Sequence, residues 1–387
     1  MRKSVLFGFG LVVTALVALG LVILSSASQV NGLRLYHDAY HFMKQQFTFV
    51  GCGIALACFA AWFDYRQWRD HPSLAWAALV VVAVLLLAVF AFPKVNGSYR
   101  WIRLGGLRLQ PSEFAKVVTV IVVSVWLDRA GYRVEQFVRG ALVPALFIGA
   151  MALPILKEPD FGSVMVVALS GFLVMFVVGV RVLHLLPFAL CGLVLFAWKV
   201  AGNLNRMTRL VAWLGVSPES VGVEVADAAA DNAAYQGKNA LIAIQNGGLW
   251  GVGLGQSMQK HMYLPESHTD MIFAVGAEEL GLLFSVGTVL LFLAFFGFSV
   301  YIARNAADRF GRYLAVGMAF IVFFSAMFNV GVVCGALPMK GMALPFFSYG
   351  GTNMLSTFFA VGTILSVGIH ALPDRRRILS RVLLNRG

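Results

Sequence analysis

Apolar residues in this chain form long runs separated by short polar segments. A membrane-spanning helix needs about 20 consecutive apolar residues to cross a hydrocarbon core about 30 Å thick. Ten runs approach that length: Val5–Leu24, Phe47–Phe63, Leu74–Phe92, Phe114–Leu127, Ala141–Leu156, Phe161–Val180, Leu185–Ala201, Leu280–Ala303, Leu314–Ala336 and Met354–Leu372. Because helices satisfy their own backbone hydrogen bonds in lipid, the pattern predicts an all-α, polytopic membrane protein with about ten transmembrane helices.

The longest polar interruption covers residues 202–269. We expect one membrane domain over residues 1–387, with 202–269 as a large extracytoplasmic loop between the seventh and eighth helices. Five glycines between positions 247 and 255 resemble a nucleotide-binding loop, but no strand precedes them. The sequence therefore predicts turns at these glycines and no nucleotide site.

Composition and charge agree with a membrane protein. Hydrophobic residues make up 59% of the chain and charged residues only 12%. A typical globular protein has about 45–50% apolar and about 25% charged residues. The net charge of +12 comes largely from Lys and Arg in alternate loops, which places both termini in the cytoplasm. These loops are marked by Arg2, Lys3, Arg66, Arg69, Arg129, Arg133, Arg139, Arg181, Arg304, Arg309, Arg312, Arg375–Arg377, Arg381 and Arg386. Such anchors require no nucleic-acid partner.

Three minor features have simple interpretations. The first apolar run also resembles a signal peptide, but it is longer than the usual central region of about 7 to 15 residues, so a transmembrane helix is preferred. The four cysteines fall inside apolar runs and form no disulfide or zinc pattern. His37 and His41 have the spacing of helical metal ligands but lack further ligands nearby, which favours a solvated helix face.

One outer loop breaks the charge rule. Its short segment contains four cationic residues, Lys94, Arg100, Arg103 and Arg108, and Lys116 follows just inside the next apolar run. Such a cluster indicates an anionic ligand on the outer side of the membrane. The alternative is that these long side chains extend to the membrane interface without binding anything.

The next motif carries an ionisable pair into the membrane. Pro111 with Ser112 and Glu113 is typical of a helix start, which places Glu113 and Lys116 one turn apart on one face. Charges at that depth are costly unless they are used or paired. Spacing alone leaves two interpretations open: a functional pair, or a structural pair in which each charge neutralises the other.

A second motif closes the long loop and enters a helix. Ser267 and Asp270 have the spacing of a helix cap, so a structural role is one interpretation. Against it, Glu266, His268 and Asp270 crowd the boundary between water and membrane. Two further Gly- and Pro-marked segments, 157–162 and 340–353, are expected on the same side. Four such segments on one side predict a one-sided site.

These motifs resemble the shape, elongation, division and sporulation (SEDS) family from about residue 25 to residue 368. The matching segments are GSYRWI at 97–102, QPSEFAK at 110–116, EPDFG at 158–162, LPESHTD at 264–270 and KGMALPFFSYGG at 340–351, in family order. Within the family, the GLGQS segment at 253–257 with Gln259, Lys260 and Tyr263 is closer to the FtsW division branch than to the RodA elongation branch. The chain departs from the usual residues at Asn246, Lys238, Asn239, Thr352 and Asn353.

The resemblance implies a peptidoglycan glycosyltransferase that polymerises lipid II in cell division. It implies a multi-pass protein of the bacterial cytoplasmic (inner) membrane, with its active site on the outer face. The implied partners are a class B penicillin-binding protein (an FtsI-like transpeptidase) and other divisome proteins. By motif match, Asp270 is the essential acidic residue, Arg108 and Lys116 are essential basic residues, and Trp101 and Glu113 are also important.

The corresponding mechanism needs a base and a positive site. We expect Asp270 to act as general base toward the acceptor hydroxyl in one inverting displacement. Cationic side chains would hold the departing pyrophosphate. The predicted substrate-binding residues are Arg100, Trp101, Arg103, Arg108, Glu113, Lys116, Asp160, Glu266, His268, Lys340, Ser348 and Tyr349. A divalent cation, Mg²⁺ or Mn²⁺, bridging Asp270 or Asp160 to the pyrophosphate would be compatible with this site.

Other functions are compatible with many helices and buried charge. A flippase for lipid II, or another transporter of anionic solutes, would predict polar breaks on both faces or an internal repeat, and the sequence shows neither. An elongation polymerase of the RodA type and a structural scaffold of the division complex also remain open. Polymer formation from lipid II in detergent, where no barrier exists, separates enzyme from transporter.

Overall fold

The fold is known from a computed structural model. It describes residues 3–94, 98–105, 107–202, 207, 210–211, 213–214, 228–261, 264 and 267–371. Three parts of the chain lie outside the described residues: Glu266, about a third of the sequence-predicted loop 202–269, and the C-terminal arginines.

Helices dominate the described chain and coincide with the apolar runs. Their bounds are α1 Lys3–Ala27, α2 Gln29–Tyr36, α3 His41–Trp62, α4 Arg66–Asp70, α5 Pro72–Ala88, α6 Pro111–Ala130, α7 Val143–Lys157, α8 Phe161–Val178, α9 Val182–Ala201, α10 Ala228–Gly247, α11 Ile272–Arg304, α12 Arg309–Val333 and α13 Gly351–His370. Short 3-10 turns cover Val89–Ala91 and Gly131–Glu135, and a π-helix covers Phe137–Leu142. All ten predicted spans are helical, while α2, α4 and α10 are additional helices.

Helix α6 is the central helix of the bundle. Nine helices of the described residues are long and apolar enough to cross a membrane by length and hydropathy, and α6 is the tenth predicted span. Its charged residues, among them Glu113 and Lys116, reduce its apolar character. Helices α5, α7, α8, α12 and α13 surround it, so its charged side chains avoid lipid. The prediction of an all-α bundle of about ten membrane helices is confirmed.

Helix α1 is part of this bundle. Phe9, Leu16, Ile23 and Leu24 are fully buried, and the helix packs along α11. This packing agrees with the transmembrane interpretation of the first apolar run.

One end of the bundle is held by a network around Asp308. Its carboxylate accepts hydrogen bonds from Tyr65, Arg66 and Arg69 at 3.0 to 3.3 Å. It also caps α12 by accepting the Gly311 amide at 2.7 Å. The network joins the α3–α5 connection to the start of α12, at the face that carries the basic loops.

The opposite end, called the site face below, carries the irregular segments. Strands β1 (Ile102–Leu104) and β2 (Leu107–Leu109) form an antiparallel hairpin in which Arg103 pairs with Arg108. Helix α10 packs on α11, which bends at Gly281, where φ is 69°. The glycine-rich turns after α10 have positive φ at four positions, 248, 251, 253 and 255. The prediction of turns is confirmed at these four glycines, while the fifth, Gly247, is the last residue of α10.

A buried ionic cluster fastens these turns to the bundle. The Lys260 ammonium contacts a Glu279 carboxylate oxygen at 3.0 Å, and that oxygen also accepts a hydrogen bond from Ser26 at 2.5 Å. Ser257 donates to the neighbouring Glu278 carboxylate. The segment that leads to Asp270 is thereby tied to α1 and α11.

Helix α9 stands at the edge of the bundle, and none of its residues is buried. Phe196 and Val200 of α9 line an apolar cavity of about 440 Å³ together with Phe161 and Met165 of α8 and Phe328 of α12. Arg100 and Lys340 lie at its polar edge. The apolar cavity therefore adjoins the charged segments of the site face.

Candidate active site

A second cavity, of about 320 Å³, opens at the site face and gathers the predicted segments. Its lining residues are Arg100, Trp101, Gln110, Glu113, Lys116, Asp160, Ser163, Thr269, Asp270, Gly341, Met342, Ala343, Tyr349, Gly350 and Asn353. All four polar segments contribute to this wall. The prediction that these segments come together on one face is confirmed, and we call this space the polar cavity.

The start of α6 places a buried ion pair in the polar cavity. The helix begins at Pro111, as predicted, and the Lys116 ammonium lies 2.5 Å from a Glu113 carboxylate oxygen. Both side chains are less than a tenth exposed, and Ser356 donates to the other Glu113 oxygen at 3.2 Å. The pair is therefore mutually neutralising and also faces the cavity, so the two interpretations of its spacing are compatible.

A second charged group surrounds Asp160. Its carboxylate accepts hydrogen bonds from Ser163 at 2.7 Å and Gln110 at 3.4 Å, and the Lys340 ammonium lies 3.5 Å away. The Arg100 guanidinium donates to the carbonyl oxygens of Pro159 at 2.8 Å and Glu158 at 3.4 Å. Arg100 lines both the polar cavity and the apolar cavity. Lys340 lines the apolar cavity and contacts Asp160 of the polar cavity wall.

The pKa values of two neighbouring carboxyl groups in this turn are shifted in opposite directions. Burial opposes ionisation of Asp160, but the charges of Lys340 and Arg100 and the Ser163 hydrogen bond outweigh it and hold its pKa at about 2. Glu158 is fully buried, and neither carboxyl oxygen has a hydrogen-bond partner among the described residues. Burial first, and the charge of Asp160 second, raise the pKa of Glu158 from 4.5 to about 8.

The raised pKa of Glu158 predicts a stability that depends on pH. Between pH 4.5 and about 8 the folded protein keeps a proton that the unfolded chain releases, so stability falls as pH rises through this window. Glu158→Gln should flatten the fall and make the protein more heat-resistant than wild type at pH 8. The measurement is thermal unfolding in detergent from pH 5 to 9. Glu135→Gln, at an exposed glutamate paired with Arg181, is the matched control. A Glu158→Gln profile that parallels wild type would contradict the assignment.

Asp270 lies in the turn just before α11. The N-cap of α11 is Met271, whose side chain makes no capping hydrogen bond, so neither Ser267 nor Asp270 occupies the N-cap position itself. The Asp270 carboxylate packs directly on Gly341: a methyl group added at Gly341 would lie 2.0 Å from Asp270 Oδ2. Asp270 and Lys116 line the same cavity, which is the juxtaposition that the sequence predicted.

The close approach of Gly341 predicts a large effect from one methyl group. Because 2.0 Å is far below van der Waals contact, Gly341→Ala must displace the Asp270 carboxylate. A shift of about 1 Å in a reacting group costs up to about a hundredfold in rate, so we expect a loss of roughly tenfold to a hundredfold in glycan polymerisation. Gly10→Ala, where nothing lies within 4 Å of the added methyl, is the control. An unchanged rate for Gly341→Ala would show that the carboxylate position is not critical.

Several predicted residues lie outside the polar cavity lining, among them Lys340, which lines the apolar cavity. Arg103 and Arg108 are exposed on the hairpin. The Arg108 carbonyl accepts a hydrogen bond from Thr352 at 3.2 Å. His268 packs against Phe42, while Ser348 is buried behind the wall. Glu266 lies outside the described residues, and the binding roles of these residues stay predictions.

Some wall residues carried no individual assignment from the sequence. Gln110, Ser163 and Thr269 line the cavity beside the predicted residues. Asn329, one turn before the end of α12, was also missed, although a polar side chain inside an apolar run is a recognised sign of function. Its amide donates to the Asp270 carbonyl oxygen at 2.8 Å. Reading each apolar run for its isolated polar residues would have found it.

The carboxylates of the polar cavity were also considered as metal ligands. Within the described part of the chain, no three His, Cys, Asp or Glu side chains group as a metal site of their own. Glu113 and Asp160 are each paired with a lysine. Asp270 is a third acidic side chain in the wall, and Mg²⁺ is commonly held by one or two carboxylates together with substrate phosphates. The residues thus fit an ion that arrives with a phosphorylated substrate.

Comparison with known proteins gives a consistent result. Residues 8–372 match the family model FTSW_RODA_SPOVE, described as "Cell cycle protein". A probable peptidoglycan glycosyltransferase FtsW of Coxiella burnetii is 36% identical over 364 residues, covering 91% of this chain and 93% of the relative. The FtsW relative of Thioalkalivibrio sulfidiphilus is 38% identical, with 98% and 93% covered. Stage V sporulation protein E of Bacillus subtilis is 35% identical, with 91% and 93% covered.

Solved structures share the architecture. A structure reported for the structural coordination of polymerization and crosslinking by a peptidoglycan synthase complex aligns with a TM-score of 0.69 and 25% identity, covering 95% of this chain and 98% of that chain. The rod shape determining protein RodA of Thermus thermophilus aligns with a TM-score of 0.67 and 25% identity, with 95% and 98% covered. The bundle is therefore a fold with characterised examples.

Proposed function

The chain belongs to the FtsW, RodA and SpoVE family, and from this premise we propose that it is a peptidoglycan glycosyltransferase that polymerises lipid II. One observation carries the proposal: the Asp270 carboxylate shares a cavity with Lys116 and Arg100. Transfer of a sugar from its pyrophosphate requires a general base and positive charge at the same place. The relatives named FtsW support the division branch of the family.

In the proposed reaction, the 4-hydroxyl of the acceptor N-acetylglucosamine attacks the anomeric carbon of the donor's N-acetylmuramic acid. Asp270 takes the hydroxyl proton as the new glycosidic bond forms. The bond from the anomeric carbon to the phosphate oxygen breaks, and the electron pair leaves on the polyprenyl pyrophosphate. One displacement from the opposite side inverts the anomeric configuration.

The departing pyrophosphate needs positive charge in a place with little water. Lys116 provides a buried ammonium, already oriented by Glu113. Arg100 provides a guanidinium that lines both cavities, and Lys340 provides an ammonium in the apolar cavity, 3.5 Å from Asp160 of the polar cavity. Fixed charges of this kind stabilise a transition state more strongly than they would in water. Arg103 and Arg108 would add to the positive field from the hairpin.

The apolar cavity suits the start of the polyprenyl chain. Its walls are aromatic and aliphatic side chains, and Arg100 and Lys340 lie at its polar edge. A lipid pyrophosphate placed across this edge would keep its charges near the cations and its hydrocarbon among Phe161, Phe196 and Phe328. This placement agrees with a substrate that stays in the membrane throughout the reaction.

We further propose an orientation, a partner and an ion. The basic loops at the end opposite the site face favour a cytoplasmic location for that end, which places the polar cavity at the outer face of the inner membrane. A class B penicillin-binding protein would crosslink the strands made here. A divalent cation held by Asp270 would supply additional positive charge to the pyrophosphate.

The test is polymerisation by purified protein in detergent. Fluorescent lipid II is incubated with the protein, alone and with its class B penicillin-binding partner, and glycan chains are resolved by gel electrophoresis. A ladder that lysozyme digests is the expected result. Folded protein that makes no ladder in either condition, yet moves lipid II across a vesicle bilayer, would replace the enzyme with a transporter.

A further inference from the structure

Asn329 is a buried polar side chain in the apolar helix α12. It is only 2% exposed, and an amide at such a position is costly unless both of its N–H groups are satisfied. Its Nδ2 atom donates to the Asp270 carbonyl oxygen at 2.8 Å and to the Met342 carbonyl oxygen at 2.6 Å. One side chain thus joins the turn that carries Asp270 to the segment that carries Gly341.

Two more contacts join the same segments. Ser348 donates to the Thr269 carbonyl oxygen at 2.7 Å while accepting the Leu344 amide at 2.7 Å. The Tyr349 amide donates to the His268 carbonyl oxygen at 3.0 Å. The turn is therefore held at three consecutive carbonyls, and the contact from Asn329 is the one made to Asp270 itself.

These contacts determine where the carboxylate lies. Asp270 rests against the Cα atom of Gly341, and Met342, whose carbonyl Asn329 holds, is the next residue. Asn329 therefore fixes both sides of this close contact. We propose that Asn329 is a positioning residue, which holds the Asp270 carboxylate at its place in the polar cavity through the paired carbonyls of Asp270 and Met342.

The chemistry of the amide supports this role. The two carbonyl oxygens require donors, so the amide nitrogen must face them, and the reverse orientation would set oxygen against oxygen. The Oδ1 atom is then left buried, with no partner among the described residues. An unsatisfied buried acceptor lowers stability. Aspartate and leucine lack the two donors, so either residue would leave the carbonyl oxygens of Asp270 and Met342 without this side-chain contact.

The test measures polymerisation rates of variants and rests on the proposed function. Asn329→Ala should lower kcat roughly tenfold to thirtyfold and leave KM for lipid II within about threefold, because the base is displaced while the binding cations stay. Asn329→Ser keeps one donor and should fall between Asn329→Ala and wild type. It also carries the test if Asn329→Ala does not fold. Asn305→Ala removes a similar amide-to-carbonyl bond, to Tyr301, at the other end of α11 and should keep wild-type kcat.

A double variant distinguishes positioning from general support of the fold. Gly341→Ala displaces the same carboxylate, so Asn329→Ala should add little to its loss, whereas independent effects would multiply. Wild-type kcat in both Asn329 variants, or losses that multiply in the double variant, would overturn the role. Wild-type protein that makes no polymer would overturn the proposed function and this role with it.

Discussion

Asp270→Asn is expected to reduce polymerisation of lipid II about a thousandfold, within the range by which positioned acids and bases accelerate reactions. The amide has nearly the size of the carboxyl group but cannot take the acceptor's proton. The fold should survive, because Asn329 holds the backbone carbonyl of Asp270 and not its side chain. The measurement is the initial rate of glycan formation in detergent, with thermal unfolding recorded for the same preparation.

A matched control is available on the same face. Asp38 is a surface aspartate paired with Lys44 at 2.7 Å, and Asp38→Asn makes the same chemical change away from the polar cavity. It should keep wild-type activity. Robust polymer from Asp270→Asn would remove this residue from the role of base and leave the reaction to another group.

Lys116→Met is expected to lower the rate about a hundredfold to a thousandfold, the usual loss when one preorganised charge at a transition state is removed. This variant also has a structural cost. Removing one partner of a buried pair destabilises by about 3 to 5 kcal/mol, because Glu113 would keep an uncompensated charge. Low activity alone would therefore not separate a role in chemistry from a role in folding.

The double variant Glu113→Gln with Lys116→Met separates them. It removes both charges, so thermal stability should return toward wild type, while polymerisation should stay low. Lys44→Met, at a lysine that is mostly exposed, is the control for the substitution itself. Recovery of activity in the double variant would mean that the pair is structural, and that Arg100 and Lys340 suffice for the pyrophosphate.

The helices could be predicted from the sequence because lipid imposes a simple length rule on apolar runs. Helix α6 shows where this rule weakens. Its apolar run is short, and charged residues precede and follow it, yet it is the most enclosed of the spans. Central helices of a membrane bundle face protein on every side, so they can carry charge that a lipid-facing helix could not.

The convergence of four segments was also predictable, since connections at the same end of a bundle must meet. The direction in which individual side chains point could not be predicted. Arg103 and Arg108 pair across a two-residue turn and lie exposed. Their exposure follows from the register of the hairpin, which the spacing of charged residues does not predict. The role of Asn329 depends on carbonyl groups distant in sequence, and no local pattern encodes such contacts.

The isolation of α9 has a consequence for the chemistry next to it. Helix α9 has no buried residue, so we expect hydrocarbon chains to cover most of its surface, and it forms one wall of the apolar cavity. The width of that cleft is then set partly by bilayer thickness and lateral pressure. We therefore expect the acyl-chain composition of the membrane to affect how readily the enzyme admits its lipid substrate.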